Sequence, residues 1–224
     1  GYIIQERDDK MRYLIVCGGK IDKEFGLNEI KTDGIDAIIA ADGGMDFLYE
    51  NGVTPDIIVG DFDSATKKAL EYFEGRGQTE IHRLNPVKDD TDTEYAIRLA
   101  IKHGARSIVV LGATGSRIDH VLGNISLLGI GLESGTDISI IDTNNRIRMA
   151  DRPITIEKSA QYGRFVSLIA VTDDNEVSLK GFKYPVTDYS FARFTSLGIS
   201  NEIVDDYAVI DIHRGKFIII ESKD

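Results

Sequence analysis

Cysteine is almost absent. Cys17 is the single thiol in 224 residues, which excludes an internal disulfide framework and a cysteine cage for a metal. It lies after the apolar run Tyr13-Leu14-Ile15-Val16, where a free thiol reads as a small buried hydrophobe and not as a nucleophile. No apolar run approaches the roughly 20 residues that a membrane-spanning helix requires. Positive charge is scarce as well. Lys and Arg number 26 against 37 Asp and Glu, a formal charge of −11, and there is no basic stripe of the kind a nucleic-acid-binding surface shows. A phosphorylated ligand would have to be met by metal ions, backbone N–H groups or a few placed cations. Internal repeats, low-complexity segments and Ser-His-Asp or Cys-His arrangements are missing, so nothing suggests a covalent mechanism. Residues 1–10 are polar, lack the apolar core of a signal peptide and precede Met11. They read as an extension or a leftover of cloning, with Met11 as the natural start, and a cytoplasmic location is expected.

What the chain does contain is an ordinary globular composition, 42% hydrophobic and 28% charged, which disfavours disordered, collagen-like and coiled-coil readings. Short runs rich in Ile and Val occur at 12–17, 35–41, 57–60, 107–111 and 137–142. Being apolar on both faces, they read as parallel strands covered on both sides. Helical patterns lie between them. The clearest covers 91–103, where Thr91 and Glu94 make a capping box, Ala96, Ile97, Ala100 and Ile101 form one stripe, and Gly104 stops the helix. From Asn144-Asn145 onward no good helix is seen. Short runs at 154–156, 165–171, 176–179, 208–212 and 217–220 are separated by turns such as Asp173-Asp174-Asn175 and Arg214-Gly215. The expected organisation is an α/β domain with a mainly parallel open sheet over 11–144, then a smaller all-β sandwich or barrel over 145–224.

Open parallel sheets bind ligands beyond the carboxyl ends of their strands, and four such ends carry chemistry. The second strand ends in Asp42-Gly43-Gly44, which offers either close backbone approach to an anion or a tight turn with Asp42 as helix cap. The third ends in Gly60-Asp61-Phe62-Asp63-Ser64. In an extended chain Asp61 and Asp63 would point the same way, and two carboxylates side by side call for a cation such as Mg²⁺; the bland alternative is a turn with Ser64 capping the next helix. Lys88-Asp89-Asp90-Thr91-Asp92-Thr93-Glu94 holds more acid than a cap needs, with Asp92 favoured by the helix dipole and Lys88 a possible phosphate cation. The fourth is the glycine loop Gly112-Ala113-Thr114-Gly115-Ser116-Arg117, leading into Asp119, His120 and Asn124. It has the form of a phosphate cradle but matches neither the Walker nor the dinucleotide fingerprint. Arg117, His120 and Asn124 would share one helix stripe, with Asp119 turned away to another ligand or simply packing. Together these ends suggest Mg²⁺-nucleotide chemistry.

In this order and spacing, and with the late Gly198-Ile199-Ser200-Asn201-Glu202, the motifs resemble the thiamine pyrophosphokinase family from about Met11 to the C-terminus. The resemblance implies the same two-domain fold, a homodimer with active sites between subunits, and transfer of a pyrophosphoryl group from ATP to thiamine with AMP released. It implies Mg²⁺ on Asp61, Asp63 and Asp92 with Asp42 close by. Nucleotide contacts would fall on Asp42, Gly43, Gly44, Lys88, Asp89, Gly112, Thr114 and Arg117. Asp119, His120, Asn124, Ser200 and Asn201 look like thiamine-side groups, and Asp61, Asp63, Asp92, Arg117 and Asp119 form the catalytic set. Animal and fungal members set a late tryptophan against thiamine; this chain has none, and Tyr207, Phe191 and Phe194 stand as alternatives by position, each of which could equally be a core aromatic. Rival readings are a pyrophosphokinase for a pterin alcohol, a nucleotide or thiamine sensor without turnover, and a Mg²⁺ phosphohydrolase.

Overall fold

The computed structural model describes residues 11–63, 67–87 and 90–224. The N-terminal extension, the proposed Ser64 cap, Lys88 and Asp89 lie outside the described residues. The chain forms two compact units. One runs to Asn124 and takes in Ser134–Asp137; the other comprises Ile125–Glu133 and Ile138–Asp224.

The first unit alternates strands and helices: β1 (Arg12–Val16), α1 (Lys23–Ile30), β2 (Ala37–Ala41), α2 (Gly44–Glu50), β3 (Ile57–Gly60), α3 (Lys67–Arg76), β4 (Glu80–Arg83), α4 (Asp92–Lys102), β5 (Ser107–Leu111) and the start of α5 (Ile118–Ser126). The strands are parallel in the order β5-β1-β2-β3-β4. Crossover connections force this, because parallel neighbours cannot be joined by a tight turn. Ile15, Ile39, Ile58 and Ile108 are fully buried at the centre of the unit. α4 lies across β1, β2 and β3 and buries Ala96, Ile97, Leu99 and Ala100; Ile101, expected in that stripe, is only half-buried. Its start follows the sequence reading, with Thr91 Oγ1 accepting from the Glu94 N–H at 3.1 Å and His103 then Gly104 (φ 91°) ending the helix. β4 was not legible beforehand. It reads Glu-Ile-His-Arg with both ends exposed, the mixed pattern of a sheet edge.

The second unit holds all but the last residue of α6 (Leu128–Ser134), all but the first of β6 (Asp137–Ile141), and β7 (Asn145–Ala150), β8 (Ile154–Glu157), β9 (Phe165–Ala170), β10 (Glu176–Lys180), β11 (Val186–Ser190), β12 (Asn201–Glu202), β13 (Tyr207–Arg214) and β14 (Phe217–Ser222). One antiparallel set runs β12-β9-β14-β7-β6 and the other β11-β10-β13-β8. Their inner faces meet in one apolar core that includes Val166, Leu168, Phe191, Ile210, Phe217 and Ile219, so the all-β part is a sandwich. The run at 137–142, expected among the parallel strands, pairs antiparallel with β7, Ile140 opposite Ile147. A tight turn makes this possible: the N–H groups of Asn144 and Asn145 both donate to Asp142 Oδ1, at 2.8 and 2.7 Å. Glu221 is completely buried in this unit. It accepts from Arg146 (2.6 Å), Arg148 (3.1 Å) and the Tyr162 N–H (3.0 Å), so its charge is satisfied.

Candidate active site

The carboxyl ends of β1, β2, β3 and β5 come together in the first unit. Backbone approaches there are too close for side chains. A Cβ on Gly44 would overlap the Val16 carbonyl, and one on Gly19 would overlap the carbonyl oxygen of Gly112. Gly112 itself sits at φ 71°, a conformation that favours glycine. The Gly19 N–H donates to Gly112 O at 2.8 Å, and a Cβ on Gly18 would stand 3.2 Å from the Gly43 Cα. Gly43-Gly44 thus joins strand ends through its lack of side chains, and the cap of α2 is Gly43, not Asp42. The Gly18-Gly19 pair was missed in the sequence. The same signal that marked Gly43-Gly44, two glycines after an apolar strand, marks it.

Three carboxylates converge at these ends. Asp42 follows β2, Asp61 follows β3 and Asp92 opens α4; one oxygen from each lies within 4.8 Å of the other two. Asp42 is held at φ 46°, an uncommon conformation for a non-glycine residue, with its N–H donating to Val59 O at 2.8 Å. Its Oδ1 is buried with no hydrogen-bond partner. Burial raises its pKa above the ordinary carboxylate value, the charges of Asp92 and Asp61 raise it further, the Gly43 N–H opposes the shift, and Asp46 adds to it. A buried acceptor among like charges is costly unless a cation completes it. All donors in the group are carboxylate oxygens, which suits Mg²⁺. The residues therefore fit that ion.

Asp63 is not in this triad. The extended-chain geometry that set it beside Asp61 does not hold, because β3 ends at Gly60 and Phe62 turns the chain at φ 62°. Asp63 is exposed, and its N–H donates to Asp61 Oδ1 at 3.1 Å. Asp46, which sequence reasoning passed over, has a second buried and unpartnered Oδ1 on the adjoining turn of α2.

The glycine loop after β5 leads to an ion pair. Arg117 precedes α5 and grips Asp119 with two donors, Nε to Oδ1 at 3.2 Å and Nη2 to Oδ2 at 2.7 Å. That guanidinium, then the His120 N–H, hold the Asp119 carboxyl below its ordinary pKa. Asp119, expected to turn away to another ligand or simply to pack, is paired with Arg117. The His120 side chain is exposed, Thr114 is half-buried, and Asn124 Nδ2 donates to Ala113 O at 3.0 Å, fastening helix to loop.

The second unit carries the remaining candidates. Ser200 sits at φ 62° with its N–H donating to Ser167 Oγ at 3.0 Å. The buried Asn201 amide is committed to backbone: Oδ1 accepts from Tyr184 N–H (3.1 Å) and Glu202 N–H (3.0 Å), and Nδ2 donates to Tyr184 O (3.0 Å). Its side chain positions the chain around it. Among the aromatics, Phe191 is a core residue with its ring edge-on to Phe217 at 5.4 Å. Phe194 and Tyr207 are exposed, and Tyr207 borders a cleft of about 740 Å³ with Lys180, Val204, Asp205 and Asp206.

Comparison with known proteins matches both parts. The family model for the thiamin pyrophosphokinase catalytic domain matches residues 31–140, and that for the thiamin pyrophosphokinase vitamin B1 binding domain matches residues 153–217. Thiamine pyrophosphokinase from Bacillus subtilis is 34% identical over 195 residues, covering 86% of this chain and 90% of the relative. The crystal structure of that Bacillus subtilis protein superposes with a TM-score of 0.86 at 31% identity, covering 95% of this chain and 99% of the other. Thiamin pyrophosphokinase from Geobacillus thermodenitrificans gives 0.83 at 30% identity, covering 96% and 98%. No described helix is long and apolar enough to cross a membrane. With its acidic triad standing in a match that spans both domain models, the chain belongs to the thiamine pyrophosphokinase family.

Proposed function

We propose that this protein is an ATP- and Mg²⁺-dependent thiamine pyrophosphokinase. The thiamine hydroxyl oxygen bonds to the β-phosphorus of ATP, the bond between that phosphorus and the oxygen bridging to the α-phosphorus breaks, and AMP leaves with the bridging oxygen. The hydroxyl proton is lost, and thiamine diphosphate is the product. The carrying observation is the Asp42, Asp61 and Asp92 triad with its unpartnered buried oxygen. Asp42, Asp61 and Asp92 would hold the ion, and Asp63 joins them on the family resemblance. When bound, Mg²⁺ would neutralise phosphate charge and polarise the phosphoryl oxygens. Positioning and charge stabilisation supply the catalysis in transfers of this class.

The nucleotide is assigned to Asp42, Gly43, Gly44, Lys88, Asp89, Gly112, Thr114 and Arg117. The glycine turns bring the backbone after β1, β2 and β5 into close approach, and Lys88 and Arg117, the latter paired with Asp119, are assigned here on the family resemblance. Thiamine is assigned to Asp119, His120, Asn124 and Ser200. Asp119, whose carboxyl Arg117 holds below its ordinary pKa, is assigned there on the family resemblance. Asn201 supports that side by fixing the Tyr184 backbone. On this reading 11–144 is the nucleotide and metal domain, while 145–224 completes the thiamine site and the dimer, with each active site shared between cytoplasmic subunits. The test is incubation with ATP, Mg²⁺ and thiamine, with products identified. AMP together with thiamine diphosphate supports the proposal. ADP with thiamine monophosphate, or phosphate release without thiamine, overturns it.

A further inference from the structure

The strand order places a second feature at the phosphate end of this site. From β1 the chain steps outward through β2, β3 and β4, then crosses back to set β5 on the other side of β1. The crevice of such a sheet opens where the order reverses, between the loops after β1 and β5. Those two loops touch. Gly19 packs on Gly112 and lies against Gly115, whose added Cβ would stand 3.8 Å from the Gly19 Cα. Lys20 follows at once. Its backbone is fixed on both sides, by the Gly19 N–H bond to Gly112 O at 2.8 Å and by Ile21, whose side chain meets Gly26 and Gly112. The neighbouring Asp22 spends its carboxylate on the cap of α1, accepting from Phe25 N–H at 2.9 Å.

Charge then distinguishes Lys20 from the two arginines nearest the strand ends. Arg83, the last residue of β4, is paired with Glu74 and lies over the Phe62 ring. Arg117, after β5, is paired with Asp119. Lys20 is exposed, and among the described residues no ion pair engages it. A polyphosphate entering beside three carboxylates needs a cation that is not already neutralised. We infer that Lys20 binds the polyphosphate chain of the nucleoside triphosphate at the β1–β5 crevice, as a point-charge donor on a loop held rigid by Gly19 and Gly112. This rests on the proposed pyrophosphoryl transfer.

The test uses a nonreactive probe, ATP with methylene in place of the α–β bridging oxygen, titrated with Mg²⁺ by calorimetry into the parent, Lys20→Met, Lys20→Arg and Lys31→Met. Lys31, also exposed, caps the far end of α1 and controls for net charge. Losing one charge-assisted contact should weaken probe binding by roughly 10- to 100-fold in Lys20→Met. Lys20→Arg should restore most of it, and Lys31→Met should stay within about twofold of the parent. The KM for ATP should rise in step while the KM for thiamine holds. Parent-like binding by Lys20→Met, or an equal loss in Lys31→Met, overturns the inference. If the parent binds the probe but forms no thiamine diphosphate from ATP, the proposed function fails and the Lys20 comparison still decides its own question.

Discussion

Asp42 and Asp92 lie on different elements, one after β2 and one at the first residue of α4, yet their carboxylates approach within 4.8 Å with Asp61 beside them. The charge of Asp92 is the first charge, after burial itself, that raises the pKa of Asp42. The fold has gathered three carboxylates and left the buried Oδ1 of Asp42 without a hydrogen-bond partner. That arrangement is costly alone and useful with a cation.

Asp61→Asn and Asp92→Asn should therefore each keep the fold and lose turnover by roughly 100-fold or more, since one electrostatic contact to a developing charge is lost. Asp63→Asn is expected to fall as far if it joins the ion. Turnover near the parent rate would leave Asp63 as the turn residue whose N–H Asp61 accepts. Steady-state rates at saturating ATP and thiamine decide it. Mg²⁺ should also raise the melting temperature of the parent with nucleotide more than that of either Asn variant.

Gly112→Ala should damage stability and activity together. The residue stands at φ 71° and its added Cβ would overlap the Cys17 carbonyl. Left-handed strain costs about 1–2 kcal/mol, and the overlap adds to it. Thermal unfolding should fall by several degrees, about 2–4 °C per kcal/mol in a chain this long. An unchanged melting temperature would mean that the β1 and β5 loops can separate freely.

Glu221→Ala should be among the most destabilising single changes in the second unit. It would leave Arg146 and Arg148 without their buried partner, and removing one side of a buried pair costs about 3–5 kcal/mol. Denaturant midpoints measure this. Glu221→Gln should lose less, because its amide oxygen can still accept from the Tyr162 N–H.

Burial pushes the Cys17 thiol up to about 11, and a hydrogen bond with Thr93 only partly offsets it. The thiolate is the reactive form. At about pH 8 the native protein should hold roughly 200-fold less thiolate than an unfolded thiol near its ordinary pKa. Iodoacetamide should label Cys17 in denaturant and scarcely at all in the native state, as read by mass spectrometry. Rapid native labelling would contradict the buried placement.

The shared-site proposal can be tested by mixing Asp61→Asn with Ser200→Arg, the second setting bulk and positive charge at a position assigned to a cationic vitamin. Each homodimer should be inactive. After verified subunit exchange about half the dimers are mixed, each with one site free of both lesions, so roughly a quarter of parent activity should return. No recovery would mean that both residues serve within one chain.

Local chemistry made much of this protein legible. Runs of Ile and Val marked β1, β2, β3 and β5, because strands covered on both faces admit little else. Thr91 and Gly104 marked the ends of α4, because cap and stop residues act on the groups next to them. Acid after β2 and β3 and at the start of α4 marked the residues of a possible cation site. Periodicity alone could not say which carboxylates meet, although the family resemblance named Asp42, Asp61 and Asp92 together with Asp63. Strand periodicity paired Asp61 with Asp63, whereas the left-handed turn at Phe62 and the packing of α4 against β1, β2 and β3 bring Asp61 to Asp42 and Asp92. β4 escaped notice because an edge strand needs no continuous apolar run. The bonds of the Asn201 amide to the Tyr184 backbone, and the place of Phe191 in the core, were not readable from position. Each of these outcomes depends on neighbours far along the chain, and only the folded chain supplies them.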